Sequence, residues 1–442
     1  MLDFLMISNK IVKGIMEIYP KFILKKSNDL MIRGSDFYAI WDEEAGAWST
    51  EEQDAIRLID AELDKYYSDN KQKFDGNARV MHMWDASTGV IDSWHKYCQK
   101  QMRDNYHMLD EKLVFSNDPV NKKDYASKRL NYPLQDCPIP CYEQLMSTLY
   151  DEEERQKLEW AIGSIITGDS KTVQKFIVLY GAPGSGKSTI LNIIQKLFDG
   201  YYSVFDAKAL GSSNNQFALE AFRTNPLVAI QHDGDLSHIE DNTRLNSLVS
   251  HEYMSVNEKF KTSYTSKFKS FLFMGTNKPV KITDSKSGII RRLIDVVPSG
   301  KKLSLSEYKK LTKGIDFELG GIALHCRDFY LEDPERYEDY VPTRMMEASN
   351  DFYNFMLDSY FVFKEEDGVS LKLAWEMYKT YCDEANVTYP LTKRVFKEEL
   401  RDYFDSVEDR HLTNDGQRAR NFYKGFKSER FESKTEQKKP RV

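Results

Sequence analysis

Cysteine is scarce in this chain: five in 442 residues, at Cys98, Cys137, Cys141, Cys326 and Cys382. They are scattered and odd in number, which excludes a disulfide-stapled scaffold and reads as a reducing, cytoplasmic compartment. Only Cys137 and Cys141 lie close, as C-P-I-P-C, and no second Cys or His pair stands at zinc-ligand spacing, so no zinc site is expected. No run of eighteen apolar residues occurs, so no membrane-spanning helix is expected. The opening stretch MLDFLMISNKIVKGIMEIYP interrupts its apolar residues with acidic and polar ones and lacks a cleavage-site pattern, so it does not read as a secretory signal. Positive charge is not in excess either. The formal net charge is −7, so any grip on nucleic acid must come from local basic surface rather than a global field. Residues 1–102 show no nucleophile–base pair, and His82, His95 and His107 read as surface or capping residues. What remains is an ordinary globular composition, 41% hydrophobic and 30% charged, in a chain long enough for about two to four domains.

The informative stretch is Q-K-F-I-V-L-Y-G-A-P-G-S-G-K-S-T-I-L, residues 174–191. Phe176–Tyr180 reads as a buried strand, and apolar residues at Ile190, Leu191, Ile193, Ile194 and Leu197 have helical spacing. Between them Gly181, Ala182, Pro183, Gly184, Ser185, Gly186, Lys187, Ser188 and Thr189 match G-x-x-x-x-G-K-[ST] at every fixed position. Glycines let successive backbone N–H groups point inward around phosphate oxygens, and the helix N-terminus adds partial positive charge. In this pattern the lysine, Lys187, reaches the β- and γ-phosphates and the hydroxyl, Ser188, binds Mg²⁺. An ordinary Gly-rich strand–helix turn is the alternative, but a strand before and a helix after the loop favour a site for ATP and Mg²⁺.

Upstream, residues 1–102 read as an accessory region, α/β or mostly helical, with helices from a capping-box-like Ser49-Thr50-Glu51-Glu52-Gln53 to Tyr67 and from Trp84 to Met102. Residues 103–173 read as a helical collar, with helices over 142–150 and 152–166. Downstream, 174–300 reads as an α/β core. The strand Pro226–Ile230 runs into Gln231-His232-Asp233-Gly234-Asp235, where an acidic strand end beside a phosphate loop could hold Mg²⁺ and orient water; Asp233 is the first choice and Asp235 the second. Residues 254–269 suggest a basic, aromatic hairpin around Tyr264, with Lys259 and Lys261 available to a nucleic-acid strand; a hairpin with no ligand is the plainer reading. The strand Ser270–Met274 leads to Asn277, a polar group able to meet the γ-phosphate or the attacking water. Arg291 and Arg292 precede a further strand and could reach a neighbouring subunit's nucleotide, although paired arginines are usually salt-bridge partners. Residues 301–365 read as helices closing the core, and Glu365–Gly368 as a linker. Over 366–426, two amphipathic helices and a Gly-led basic hairpin fit a winged helix. Lys393, Arg394, Lys397 and Arg401 would face DNA from the second helix, with Arg418, Arg420 and Lys424 on the wing; a winged helix used only for protein contacts is the alternative. Residues 427–442 read as a disordered tail.

Phosphate loop, acidic strand end, Lys-bearing hairpin, T-N-K-P and G-I-I-R-R-L, in this order, resemble superfamily 3 helicases of viruses and phages, most closely the poxvirus-type and phage primase–helicase branch. The resemblance covers about residues 105–300 and 365–426. It implies an AAA+-like P-loop ATPase core with a parallel sheet, a helical collar before it and a winged helix after it. It also implies homo-hexameric rings around single-stranded or forked DNA, with ATP between subunits and an arginine, Arg291 or Arg292, acting in trans. Lys259 and Lys261 fall at the family's DNA hairpin and Asn277 at its polar sensor. The chain departs from the pattern in one place: the family's paired carboxylates, often Glu, stand here as Gln231-His232-Asp233-Gly234-Asp235. No primase-type cluster of carboxylates and His occurs in residues 1–102, where Asp85 stands alone, so a primase or other replication proteins are expected as partners. The expected function is an ATP-dependent replicative DNA helicase of phage or mobile-element type, in the bacterial cytoplasm if phage-encoded. An ATP-dependent DNA packaging or remodelling ATPase and an ATP-binding initiator adaptor without motor activity are the alternatives.

Overall fold

A computed structural model describes residues 2–23, 26–74, 77–101, 105–212, 218–235, 242–256, 264–280, 288–385, 387, 390–413, 416 and 418–431. The chain divides into two units, one of Met1–Pro138 with Leu197–Tyr201 and Leu319–Leu324, the other of Ile139–Lys196, Tyr202–Glu318 and His325–Val442.

The first unit is built on two three-stranded sheets. β1 (Leu5–Val12) and β2 (Ile15–Phe22) form a hairpin closed by Lys13 and Gly14, both left-handed at φ 51° and 82°. A two-residue turn of this hand matches the right-handed twist of the strands it joins. β3 (Leu30–Arg33), β4 (Asp36–Asp42) and β5 (Ala47–Ser49) make the second sheet in that order, and β6 (Ala78–Val80) joins the first sheet parallel to β2. The helices α1 (Glu52–Asn70) and α2 (Val90–Gln101) contribute Ala55, Ile59, Trp94 and Tyr97 to a core with Phe4, Leu30 and Ile40. Among its described residues the region is therefore α/β with six strands, not mostly helical. The helix expected from Trp84 begins only at Val90, because Asp85 caps a separate 3-10 turn that ends on left-handed Gly89.

Residues 105–138, expected as part of a helical collar, contain no α-helix and one 3-10 turn at Lys122–Asp124. Polar side chains compete with helix for the backbone here. The Asp110 carboxylate accepts the backbone N–H groups of Ser127 at 2.6 Å and Lys128 at 3.1 Å, and Asp118 accepts that of Phe115 at 2.8 Å.

The second unit opens with α3 (Pro140–Leu149) and α4 (Glu152–Thr167). Its sheet comprises β7 (Phe176–Tyr180), β8 (Tyr202–Val204), β9 (Val228–Gly234), β12 (Phe271–Thr276) and β13 (Leu293–Val296), all parallel, in the order β13-β7-β12-β9-β8. Parallel strands covered on both faces read as continuous apolar runs, and every residue of β12 and β13 is buried. The crossovers carry α5 (Lys187–Leu197), α6 (Ala207–Leu210), α7 (Thr243–Val249) and an antiparallel hairpin of β10 (Tyr253–Val256) and β11 (Tyr264–Lys267). The architecture is a mixed α/β one compatible with nucleotide binding, in which ligands sit outside the carboxyl ends of the strands.

α8 (Leu305–Ile315), α9 (Leu319–Glu332), α10 (Thr343–Ser349), α11 (Asp351–Asp358) and α12 (Tyr360–Glu365) follow, then β14 (Gly368–Ser370), α13 (Leu371–Glu384), α14 (Lys393–Arg401), β15 (Phe404–Leu412) and β16 (Arg418–Phe426). β14, β16 and β15 pair in that order as an antiparallel sheet. The expected linker at 365–368 is a packed joint: the carbonyl of left-handed Asp367 accepts the Gly425 N–H at 2.8 Å and its carboxylate that of Phe426 at 3.2 Å. One buried core runs from Phe176 and Val178 of the parallel sheet through Phe352 and Phe355 to Phe396, Tyr423 and Phe426. Of the expected tail, Phe431 is packed, fully buried with its ring 5.3 Å from Tyr353 and 5.7 Å from Phe426, while Glu429 and Arg430 stay exposed.

Candidate functional site

The loop after β7 lies at the carboxyl end of the parallel sheet, where α5 begins at Lys187. Gly184 and Gly186 hold φ of 74° and 104°, and a Cβ on Gly186 would stand 3.1 Å from the Leu149 side chain. Backbone of this hand turns successive N–H groups toward one concavity. The Ser185 hydroxyl is buried and has no hydrogen-bond partner among the described residues, whereas Ser188 is exposed on the first turn of α5.

Lys187 is buried, and its amine donates to the Gly181 carbonyl at 2.7 Å, the Ala182 carbonyl at 2.9 Å and Asn277 Oδ1 at 2.8 Å. Burial pulls this amine below the usual lysine range, against the opposing pull of Asp233. The Asn277 amide in turn donates to Asp233 Oδ1 at 3.2 Å. Because β12 lies between β7 and β9, the ends of three neighbouring strands bring Lys187, Asn277 and Asp233 into one hydrogen-bonded row. Gly275 makes the approach possible: a Cβ there would lie 2.5 Å from the His232 carbonyl, at the point where the β12–β9 register shifts. Asp235 is placed differently, accepting from Lys278 Nζ at 2.8 Å.

A cavity of about 350 Å³ opens beside the loop, lined by Gly184, Gly186, Lys187, Ser188 and Thr189, with Leu149, Lys301, Lys302, Leu303, Leu305 and Tyr308 forming the rest of its wall. Sequence reasoning missed that second group. They come from α3, from the segment after β13 and from α8, and no local sequence pattern marks them.

Arg291 and Arg292 precede β13, whose Leu293 pairs with Phe176 at the start of β7 and whose Val296 pairs with Leu179 near its end. They therefore sit at the end of the sheet opposite the loop, and the chain does not bring them to its own Lys187. Their environments differ. Arg292 is buried, its guanidinium donating to the Gly288 carbonyl at 2.8 Å and, through Nε, to Ser250 Oγ at 2.9 Å. Arg291 is exposed, and its carbonyl accepts from Lys175 Nζ at 2.7 Å. The two arginines border a cavity of about 620 Å³ with Trp160, Lys175, Glu338 and Asp339. Burial there pushes the Lys175 amine down to about 8, although Asp339 and Glu338 oppose it.

Lys259 and Lys261 lie outside the described residues; the hairpin that leads to them pairs Tyr253 with Lys267 and Val256 with Tyr264. On α14, Phe396 and Leu400 face the core and Lys393, Arg394, Lys397 and Arg401 are exposed. Arg418 and Arg420 are exposed on β16. No group of three or more His, Cys, Asp or Glu able to hold a metal occurs among the described residues, where Cys137 and Cys141 are free thiols. Nor is any described helix long and apolar enough to cross a membrane.

Residues 179–292 match a family model described as Family of unknown function (DUF5906). No curated protein matches the chain. Among solved structures, the A form apo structure of the NrS-1 C terminal region superposes with a TM-score of 0.41 at 13% identity, over 66% of this chain and 76% of that one. The apo structure of NrS-1 C terminal region (305-718) gives 0.37 at 14% identity, over 66% and 77%. Superpositions this loose are reached by unlike folds, so the functional reading rests on the site itself.

Proposed function

We propose that the chain is an ATP-dependent DNA helicase of replicative, phage or mobile-element type. Its second unit would act as an AAA+-like P-loop motor and residues 366–426 as a winged helix. The observation that carries the ATP site is the row Lys187–Asn277–Asp233 across three strand ends, directly beyond a loop with two left-handed glycines.

The residues present fit a triphosphate. Backbone N–H groups of 184–188 and the start of α5 would hold phosphate oxygens, and the Ser185 hydroxyl, buried without a partner among the described residues, is a donor for one more. The Lys187 amine would exchange its loop carbonyls for the β- and γ-phosphates. The exposed Ser188 hydroxyl and Asp233 would hold Mg²⁺, which when bound supplies positive charge against the phosphate oxygens. Asp233, oriented by the Asn277 amide, would accept the proton of the attacking water, with Asp235 a poorer candidate because Lys278 already holds it. Leu149, Leu305 and Tyr308 would cover the base.

In a homo-hexameric ring, the exposed Arg291 would reach the neighbouring subunit's γ-phosphate, while Arg292 would shape the turn before β13. Lys259, Lys261 and the basic faces of α14 and β16 would hold single-stranded or forked DNA. A primase or other replication proteins would supply what residues 1–102 lack. The test is ATP hydrolysis with and without single- and double-stranded DNA, paired with native mass measurement. Hydrolysis stimulated by single strands in a ring is expected. Folded protein that neither hydrolyses ATP nor unwinds a fork with Mg²⁺ overturns the reading, and stimulation by duplex alone favours a packaging or remodelling motor.

A further inference from the structure

The first unit holds a cavity of about 240 Å³ that the ATP reading does not use, lined in part by Lys26, Trp48, Tyr106, His107, Lys122 and Lys123. Its back wall is a pile of rings. The exposed His107 ring stacks on Tyr125 with centroids 4.3 Å apart and planes at 27°, and Tyr125 stacks on Trp48 at 6.1 Å. Trp48 is the fixed base of the pile, buried and donating its indole N–H to the Lys122 carbonyl at 2.9 Å. Tyr125 is held at a left-handed φ of 50°, a conformation costly to a bulky residue and one that gathers at functional sites.

Tyr106 is 39% exposed and meets Tyr38 edge-on at 5.4 Å, while the Arg33 guanidinium lies 4.3 Å from the centre of the Tyr38 ring. Backbone ties, rather than burial, hold these two exposed rings. Asn105 bridges to Ile32 of β3, and the His107 N–H points to the Met31 sulfur at 3.2 Å. The charges lining the cavity are mostly of one sign. Lys26 and Lys123 are exposed, and of the carboxylates beside the lining residues Asp29 is bonded to the Lys122 amine while Asp3 accepts from the Ser27 hydroxyl at 2.5 Å and the Asn28 N–H at 2.8 Å.

Exposed ring faces beside cations suit a planar base with its phosphate. The volume lies below the roughly 300–1,000 Å³ of ordinary small-molecule pockets, which fits one base rather than a whole ligand. A base in a duplex has both faces occupied, so only an unpaired one could stack here. We propose that this cavity binds a single-stranded nucleic acid, one base stacking on His107 or Tyr106 and the adjoining phosphates meeting Lys26 and Lys123. The site is separate from the ATP site and needs no nucleotide.

The test uses the full chain without nucleotide and a labelled twenty-residue thymidine oligonucleotide, followed by anisotropy, with a uridine oligonucleotide as a second probe; tight binding of either polymer supports the site. Replacing Tyr106 and His107 together by Ala should weaken binding about tenfold or more. Lys26→Gln with Lys123→Gln should lower the salt slope by about 1.4, and Lys187→Ala should leave binding unchanged. Because other basic surfaces could also hold the strand, 5-iodouracil crosslinking on the unmutated chain is the second readout, and it should label residues 105–107. The proposal is overturned by crosslinks confined to other segments, by full affinity in both multiple variants, or by displacement of the oligonucleotide by polyglutamate at equal concentration.

Discussion

Lys187 uses all three of its N–H donors within its own chain, two on loop carbonyls and one on Asn277. Truncation to Ala removes the hub of that row, and ATP hydrolysis is expected to fall to background in a phosphate-release assay. Asp233→Asn keeps the shape and the Asn277 contact but removes the carboxylate proposed as the base. It should lower kcat at least about a hundredfold while KM for ATP moves only a few-fold. The two arginines separate by burial. Arg291→Ala should cost about a thousandfold in hydrolysis with no change in melting temperature, and mixing it with Lys187→Ala protein should restore part of the activity, because some sites then combine two intact halves. Arg292→Ala leaves the Gly288 carbonyl and Ser250 without their partner and should lower the melting temperature instead. Recovery in the mixture is the decisive measurement: its absence removes the trans role from Arg291. From sequence both arginines look alike, since what buries Arg292 is its fit against Ser250, 42 residues away along the chain.

At the scale of elements, α4 is fastened to the sheet by charge. Lys157, 2% exposed, donates to Glu154 Oε1 and to the Asp295 carbonyl of β13, both at 3.1 Å, and Glu154 accepts the Val297 N–H at 2.9 Å. Removing one partner of a buried pair strands the other, so Lys157→Met should destabilise the protein by about 3 kcal/mol, read by urea unfolding. α4 meets α9 through His325 Nε2 and Glu159 Oε2 at 3.2 Å. The Glu159 carboxylate raises the His325 pKa above its ordinary value near 6.5, burial opposing. A raised folded-state value means stabilisation that is complete below about pH 6.5 and fades as pH climbs through the folded value. Melting temperature should therefore fall across that window, and His325→Gln should flatten the fall.

These elements also show what a sequence can carry. The parallel strands were legible because burial on both faces leaves uninterrupted apolar runs such as Phe176–Tyr180, and the phosphate-type loop because its glycines have no substitute at positive φ. β1 was not legible: its eight residues alternate poorly, with only Leu5 fully buried. β15 was not either, since Asp405, Ser406, Glu408, Asp409 and Arg410 write a polar surface whose strand character comes from pairing with β16. Asn277 could be placed from its position at a strand end. The cavity wall at Lys301, Leu303 and Tyr308 could not, because tertiary folding alone brings it to the loop.

For the whole molecule, the net charge of −7 makes any strand binding a matter of local patches. Changing Lys259 and Lys261 to Gln should leave basal hydrolysis intact and weaken DNA binding in a filter assay; retained affinity would take the hairpin out of the DNA path. The joint at Asp367 bears on how such patches could move. With one core running from Phe176 to Phe426 and the backbone of β14 stitched to β16, the C-terminal sheet and α14 are a stiff arm of the parallel sheet rather than a tethered passenger. Limited proteolysis should release no stable fragment beginning near residue 366. A small tilt at the strand ends would then be delivered to the basic face of α14 undamped, as a lever passes on a displacement that a rope would absorb.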